Sequence, residues 1–188
     1  MPAQAKATVA ALAGRRIDAG DAPAPRFPLA SVPKVRRTLH DVFVGKVVGA
    51  LVSSAACGAD LIALEVAGAL GIRRRVVLPF SKERFRETSV VDRPGDWGPL
   101  YDRVIAEIEA ADDLVVLGSA ARDADDVYQW ASAEIVRQAE LLANASPGQN
   151  RMAVIVWEGA PRSVSDATEG FRKLAEEAGF TQCPVLTL

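Results

Sequence analysis

Residues 51–80 read LVSSAACGADLIALEVAGALGIRRRVVLPF, and reading this stretch as one βαβ unit decides the fold. Residues 50–53 continue an apolar run of the length of a buried strand. Ser54, Ala55, Ala56, Cys57 and Gly58 follow; residues this small let the backbone turn tightly and leave room for a ligand against it. A helix is predicted over 59–70, with Gly71 as its C-terminal cap. Residues 75–78 supply the next strand, ended by Pro79. A strand, a small-residue turn and a helix N-terminus together present unpaired N–H groups and a partial positive charge, which suits an anion. One reading is a nucleotide-like ligand. The other is that any α/β chain places small residues in its βα turns.

Outward from this unit, strands are predicted at 8–13, 114–117 and 152–157, with an edge strand at 185–188. Helices are predicted at 32–48, from Pro99 onward, at 126–143 and at 167–178. In the first of these Val35, Leu39, Val42 and Val47 are placed toward a core, and in the third Tyr128, Ala131, Ile135, Ala139 and Leu142. Residues 14–31, with Pro23, Pro25 and Pro28, read as a long loop, and so do residues 81–98, which carry Arg84, Phe85, Arg86, Ser89, Arg93 and Trp97. Strands that alternate with helices and read as apolar runs indicate an α/β fold. The expected form is a doubly wound, mostly parallel sheet with a Rossmann-like three-layer α/β/α architecture. Segments 14–31, 53–58, 80–98, 118–124 and 158–166 all follow strands, so all five are expected on one edge, where such sheets bind ligands.

The 188 residues suit a single domain spanning 1–188, with 1–6 as a frayed tail. A formal net charge of −2 argues against a nucleic-acid binder that works by neutralising phosphates. No apolar run approaches the roughly 18 residues of a membrane span, and the N-terminal segment fits a signal peptide badly, so the cytoplasm is the expected location. Cys57 and Cys183 make neither a disulfide framework nor a metal site, and nothing in the sequence calls for a cofactor. His40, the one histidine, falls on the first predicted helix, remote from the strand ends, so no Ser-His-Asp triad is expected at that edge.

Several side chains admit two readings. Gly58 and the N–H groups after it are the leading phosphate candidates. Asp60 either complements the dipole of its helix or holds a ribose hydroxyl. Glu65 is either a site acid or the structural partner of an arginine. Gly14, Arg15 and Arg16 end the first strand, and the arginines either grip phosphate or are solvated. Arg84 and Arg86 carry the same pair of readings, and Phe85 is either buried or stacked on a base. Ser53 and Ser54 bind a ligand or satisfy their own turn. Cys57 is a small turn residue or a thiol with a lowered pKa. Gly118, Ser119 and Gly159 complete the candidate rim.

The run LVSSAACGAD, then LIALEVAGALG, then VVLPF, resembles the SLOG superfamily of Rossmann-like domains. That group includes the DNA-processing protein A (Smf) family and the Lonely Guy (LOG) phosphoribohydrolases. GRRID, PRFP, RFRETSV and WEG followed by DAT resemble an uncharacterised bacterial branch of it. The resemblance covers residues 50–90 well and 8–180 loosely. It implies binding or sensing of a nucleotide or nucleotide-derived small molecule, and suggests a homodimer. Alternatives it carries are LOG-like cleavage of an N-glycosidic or phosphate bond, with Glu65 or Asp60 as the catalytic candidates, and binding of single-stranded DNA. LOG enzymes carry PGGxGTxxE. In SVSDATEGF, Thr168 stands for the threonine, no glycine pair precedes it, and Phe171 occupies the place of the glutamate. That departure weakens the hydrolase reading.

Overall fold

A computed structural model describes residues 6–118, 124–145, 148–163 and 166–188, the side chains of 124–126 excepted. Residues 1–5 of the tail expected at 1–6, residues 119–123 of the segment expected at 118–124 (Ser119 among them) and residues 164–165 of that expected at 158–166 lie outside the described residues. Strands β1 (Thr8–Gly14), β2 (Val48–Ser53), β3 (Arg73–Leu78), β4 (Leu114–Val116), β5 (Asn150–Trp157) and β6 (Thr181–Leu186) form one sheet in the order β4-β3-β2-β1-β5-β6. Every pairing is parallel. The helices are α1 (Val32–Gly45), α2 (Ala59–Ala69), α3 (Lys82–Ser89), α4 (Gly98–Ala110), α5 (Ala124–Asn144) and α6 (Ala167–Glu177).

Strand residues alternate between two cores, which is why the strands read as continuous apolar runs. Ala10, Leu12, Leu51, Val76 and Val154 pack with α1, α2 and α4. Val9, Ala11, Val52, Val77 and Ile155 pack with α5 and α6. The result is a three-layer α/β/α fold of Rossmann type. The chain builds outward from β1 to β4, then returns to place β5 on the other side of β1. The strand order therefore reverses between β1 and β5, and the carboxyl ends of all strands share one edge.

Four expectations need correcting. Residues 81–98 are not one loop: they hold α3, whose first turn is capped by the Ser81 hydroxyl accepting from the Arg84 N–H at 3.3 Å. Val47 is exposed in a left-handed turn (φ 52°), and Phe43 joins Val35 and Leu39 on the buried face of α1 in its place. Tyr128 is 37% exposed, not part of the inner stripe of α5. The last strand begins four residues earlier than expected and pairs with β5 from Met152 to Trp157. Among the described residues no helix is long and apolar enough to cross a membrane.

Candidate functional site

Where β1 ends, the chain passes through a crowded point. A Cβ on Gly14 would stand 2.5 Å from the Ala59 Cβ and 2.6 Å from Val156. The backbone then runs directly over Gly58, whose φ is 98° and whose missing Cβ would meet the Arg15 carbonyl and the Ile17 nitrogen at 2.8 Å. Only glycine fits there. The Ala59 N–H at the tip of α2 donates to the Arg15 carbonyl (3.1 Å), and the Arg15 N–H donates to the Val156 carbonyl (2.8 Å). Of the N–H groups expected to receive an anion, that of Ala59 is thus already satisfied by the chain itself.

The Arg15 side chain fills the crevice between β1 and β5. It is 4% exposed. Its Nε donates to Glu158 at 2.6 Å, Nη1 to Asp166 at 2.7 Å, and Nη2 to both Glu158 (3.1 Å) and the Ala160 carbonyl (2.9 Å). Trp157 lies 5.9 Å beneath it. With its donors so engaged, Arg15 is neither a solvated loop residue nor free to grip phosphate. Burial pushes the Asp166 carboxyl up, but Arg15 and the backbone N–H of Arg162 and Glu169 overcome this and bring it down to about 2. Asp166 also caps α6 through the Thr168 N–H (2.9 Å). Glu158 is lowered for the same reason: burial is outweighed by Arg15 and by Arg26, which pairs with it.

The following segment is tied down as a strap. Asp18 accepts from the N–H groups of Arg26 and Phe27, both at 3.0 Å, and the Thr187 hydroxyl donates to the Arg26 carbonyl. Ile17 and Phe27 are fully buried. Arg16 pairs with Asp92 and touches the Cys57 thiol, whose pKa burial pushes up against the pull of that guanidinium. Cys57 is therefore a buried turn residue, not an activated thiol. Asp60 accepts one hydrogen bond, from the Ala56 N–H at 3.2 Å. Burial raises its pKa to about 7, against the Ala56 N–H and the charge of Arg16.

Other candidates fall into place around this sealed crevice. Ser53 is buried and donates to the Ser54 carbonyl at 2.8 Å. Glu65 pairs with Arg36 and, at 3.3 Å, with Arg103, the structural-partner reading. Thr168 is buried at the start of α6. Phe85 is buried and stacked on Tyr101, while Arg86 pairs with Asp102 at 2.7 Å. By contrast Arg84 and Gly118 are exposed, and Ser54 and Phe80 half-buried, after β2, β3 and β4. The Arg84 guanidinium lies 4.7 Å over the Phe80 ring, and Tyr128 meets that ring edge-on at 6.5 Å. Gly159 is exposed beyond β5. The carboxyl edge thus has a sealed half over β1 and β5 and an open half over β2 and β3.

Sequence reasoning missed Arg26, Glu158, Asp166, Phe80 and Tyr128. Only Asp166 left a local signal, an acidic residue three positions before Glu169 at a helix start. Among the described residues no group of three His, Cys, Asp or Glu side chains could hold a metal ion. A groove of about 770 Å³ lies between α1 and α2, lined by Val32, Arg36, Arg37 and His40 of α1 and Glu65 of α2.

No family model matches the chain, and no curated protein matches it. Among solved structures it is similar to DNA processing protein A (DprA) from Streptococcus pneumoniae, at 14% sequence identity and a TM-score of 0.43, over 95% of this chain and 61% of that chain. The chain thus spans less than two thirds of that relative's length.

Proposed function

We propose that the protein binds a nucleotide or nucleotide-derived small molecule at the carboxyl edge of its parallel sheet. The observation that supports this is that the described strand-following residues, 14–31, 53–58, 80–98 and 158–163, leave the carboxyl ends of parallel strands, the edge at which doubly wound sheets take their ligands. The sealed crevice moves the contact area from β1 and β5 toward β2 and β3, where a cation and aromatic rings remain accessible. Binding fits better than turnover, because the carboxylates with a claim to catalysis are occupied: Glu65 holds two arginines, and Asp60 is buried and accepts from the Ala56 N–H.

The test is a thermal-shift titration of the full chain with nucleoside mono- and diphosphates, NAD, ADP-ribose and cyclic nucleotides. A dose-dependent rise in melting temperature with at least one of them is expected, since a ligand that binds only the folded state stabilises it by mass action. No shift with any of them at millimolar concentration refutes the proposal. Chromatography of the same mixtures should return the ligand unchanged; release of free base or phosphate would replace binding by hydrolysis.

A further inference from the structure

Arginine supplies most of the positive charge in this chain, and almost all of it is spoken for. Each arginine with a described side chain, Arg37 and Arg84 excepted, has a described carboxylate within ion-pair distance. Arg37 lies on α1, on the wall of the groove against α2. Arg84 lies on the open half of the carboxyl edge, and two contacts hold its backbone. Its N–H donates to the Ser81 hydroxyl, and its carbonyl accepts from Thr88 at 2.9 Å. Its guanidinium rests over Phe80, a contact that restricts rotamers without consuming an N–H. Tyr128 completes the cluster, its hydroxyl 3.3 Å from the Ser89 Oγ.

We infer that Arg84, seated on Phe80, receives the phosphate of the bound ligand. The inference rests on the nucleotide reading above. A guanidinium offers a planar fork that matches phosphate bidentately. Here that fork is pre-positioned by the ring, and among the described residues no carboxylate competes for it. Tyr128, an exposed residue whose hydroxyl lies beside Ser89, supplies a second polar group near the same ring. The ligand class is a phosphate monoester or diphosphate, and the probes below separate a nucleotide from free phosphate.

Isothermal titration of the full chain with AMP, ADP, ADP-ribose, adenosine and inorganic pyrophosphate tests this on the wild type, Arg84→Gln, Phe80→Leu and Arg37→Gln. Loss of one charged hydrogen-bonding partner predicts that Arg84→Gln weakens the phosphorylated nucleotides by about 10- to 100-fold. Adenosine should bind the two proteins alike. Phe80→Leu should weaken the same probes by a smaller factor, and Arg37→Gln should leave them unchanged. Tight binding of pyrophosphate but not of nucleotides would make the site one for free phosphate and overturn the nucleotide part. Equal nucleotide affinity in the wild type and Arg84→Gln, or equal weakening by Arg37→Gln, would overturn the subsite and leave the general reading standing. If none of the probes binds the wild type, that reading fails and the subsite with it. Arg84 is exposed, so its variant is expected to melt within a few degrees of the wild type, and that measurement guards the comparison.

Discussion

Replacing Arg15 by methionine removes the cation that two buried carboxylates share while keeping a side chain of similar length. Removing one partner of a buried pair typically costs about 3–5 kcal/mol. The low end applies here, because Asp166 keeps the N–H groups of Arg162, Thr168 and Glu169, and Glu158 keeps Arg26. An independent route gives a similar figure. The Asp166 carboxyl falls from 3.8 to about 2 in the folded state, and that drop corresponds to about 2 kcal/mol at neutral pH, with Glu158 adding to it. Arg15→Met should therefore lose about 3 kcal/mol at pH 7, or roughly 6–12 °C in melting temperature for a chain of this size.

The same reasoning predicts how the loss depends on pH. A carboxyl with a depressed folded pKa contributes stability that is present above its unfolded value and lost as the pH falls through its folded value. For Asp166 that window runs from about pH 5 down to about pH 2. In Arg15→Met the carboxyl returns toward 3.8, so the gap between wild type and variant should narrow steadily across the window. Urea unfolding followed by circular dichroism at pH 7, 5 and 3.5 measures it. The double variant Arg15→Met/Asp166→Asn keeps the amide oxygen that caps α6 and should lose less than the sum of its single changes. A gap below about 1 kcal/mol at pH 7, a gap that does not change with pH, or additivity within about 0.5 kcal/mol would each refute the clamp.

Asp60 predicts the opposite slope. Its folded pKa is about 7 against 3.8, so the wild type should lose stability as pH rises between these values, and Asp60→Asn should be up to about 4 kcal/mol more stable at pH 8 with little difference at pH 4. Guanidinium unfolding at both pH values checks it, and an unchanged difference would exclude burial as the cause. Gly58→Ala must place a Cβ 2.8 Å from two backbone atoms at φ 98° and should cost about 2–3 kcal/mol, read as a lower urea midpoint. Asp113 is buried and bridges Arg73 and Arg75 at 2.7–2.9 Å, so Asp113→Ala should cost about 3 kcal/mol. Arg73→Gln alone should cost under 1 kcal/mol because that side chain is half exposed.

The layers and strand edges were legible because both faces of the sheet are covered, so each strand prints an apolar run on the sequence. Helix α3 was not, because KERFRETS turns a single large apolar side chain, Phe85, inward, and one residue makes no period. The clamp was hidden for another reason. Arg15 stands 143 and 151 positions from its carboxylates, and nothing local separates it from a solvated loop arginine. Knowing that β5 lies beside β1 is what brings them together. Glu65 needed less: it is the one charge in α2 beyond Asp60 of the first turn, which suggested an arginine partner, and it has two.

The sealed crevice also bears on why the tip of α2 is a poor anion site despite its dipole. A phosphate there would have to displace the Arg15 carbonyl from the Ala59 N–H and lift a backbone packed against Gly58. It would also stand beside Asp60, whose buried carboxyl could stay only by remaining protonated. Lifting that backbone would pull Arg15 away from Glu158 and Asp166 and leave both with weaker partners. Together these costs exceed the roughly 0.3–1 kcal/mol that a helix end ordinarily offers an anion. The strap therefore converts the usual ligand crevice of this architecture into part of the core. Arg84, also on the carboxyl edge, has no such commitment: among the described residues no carboxylate pairs with it.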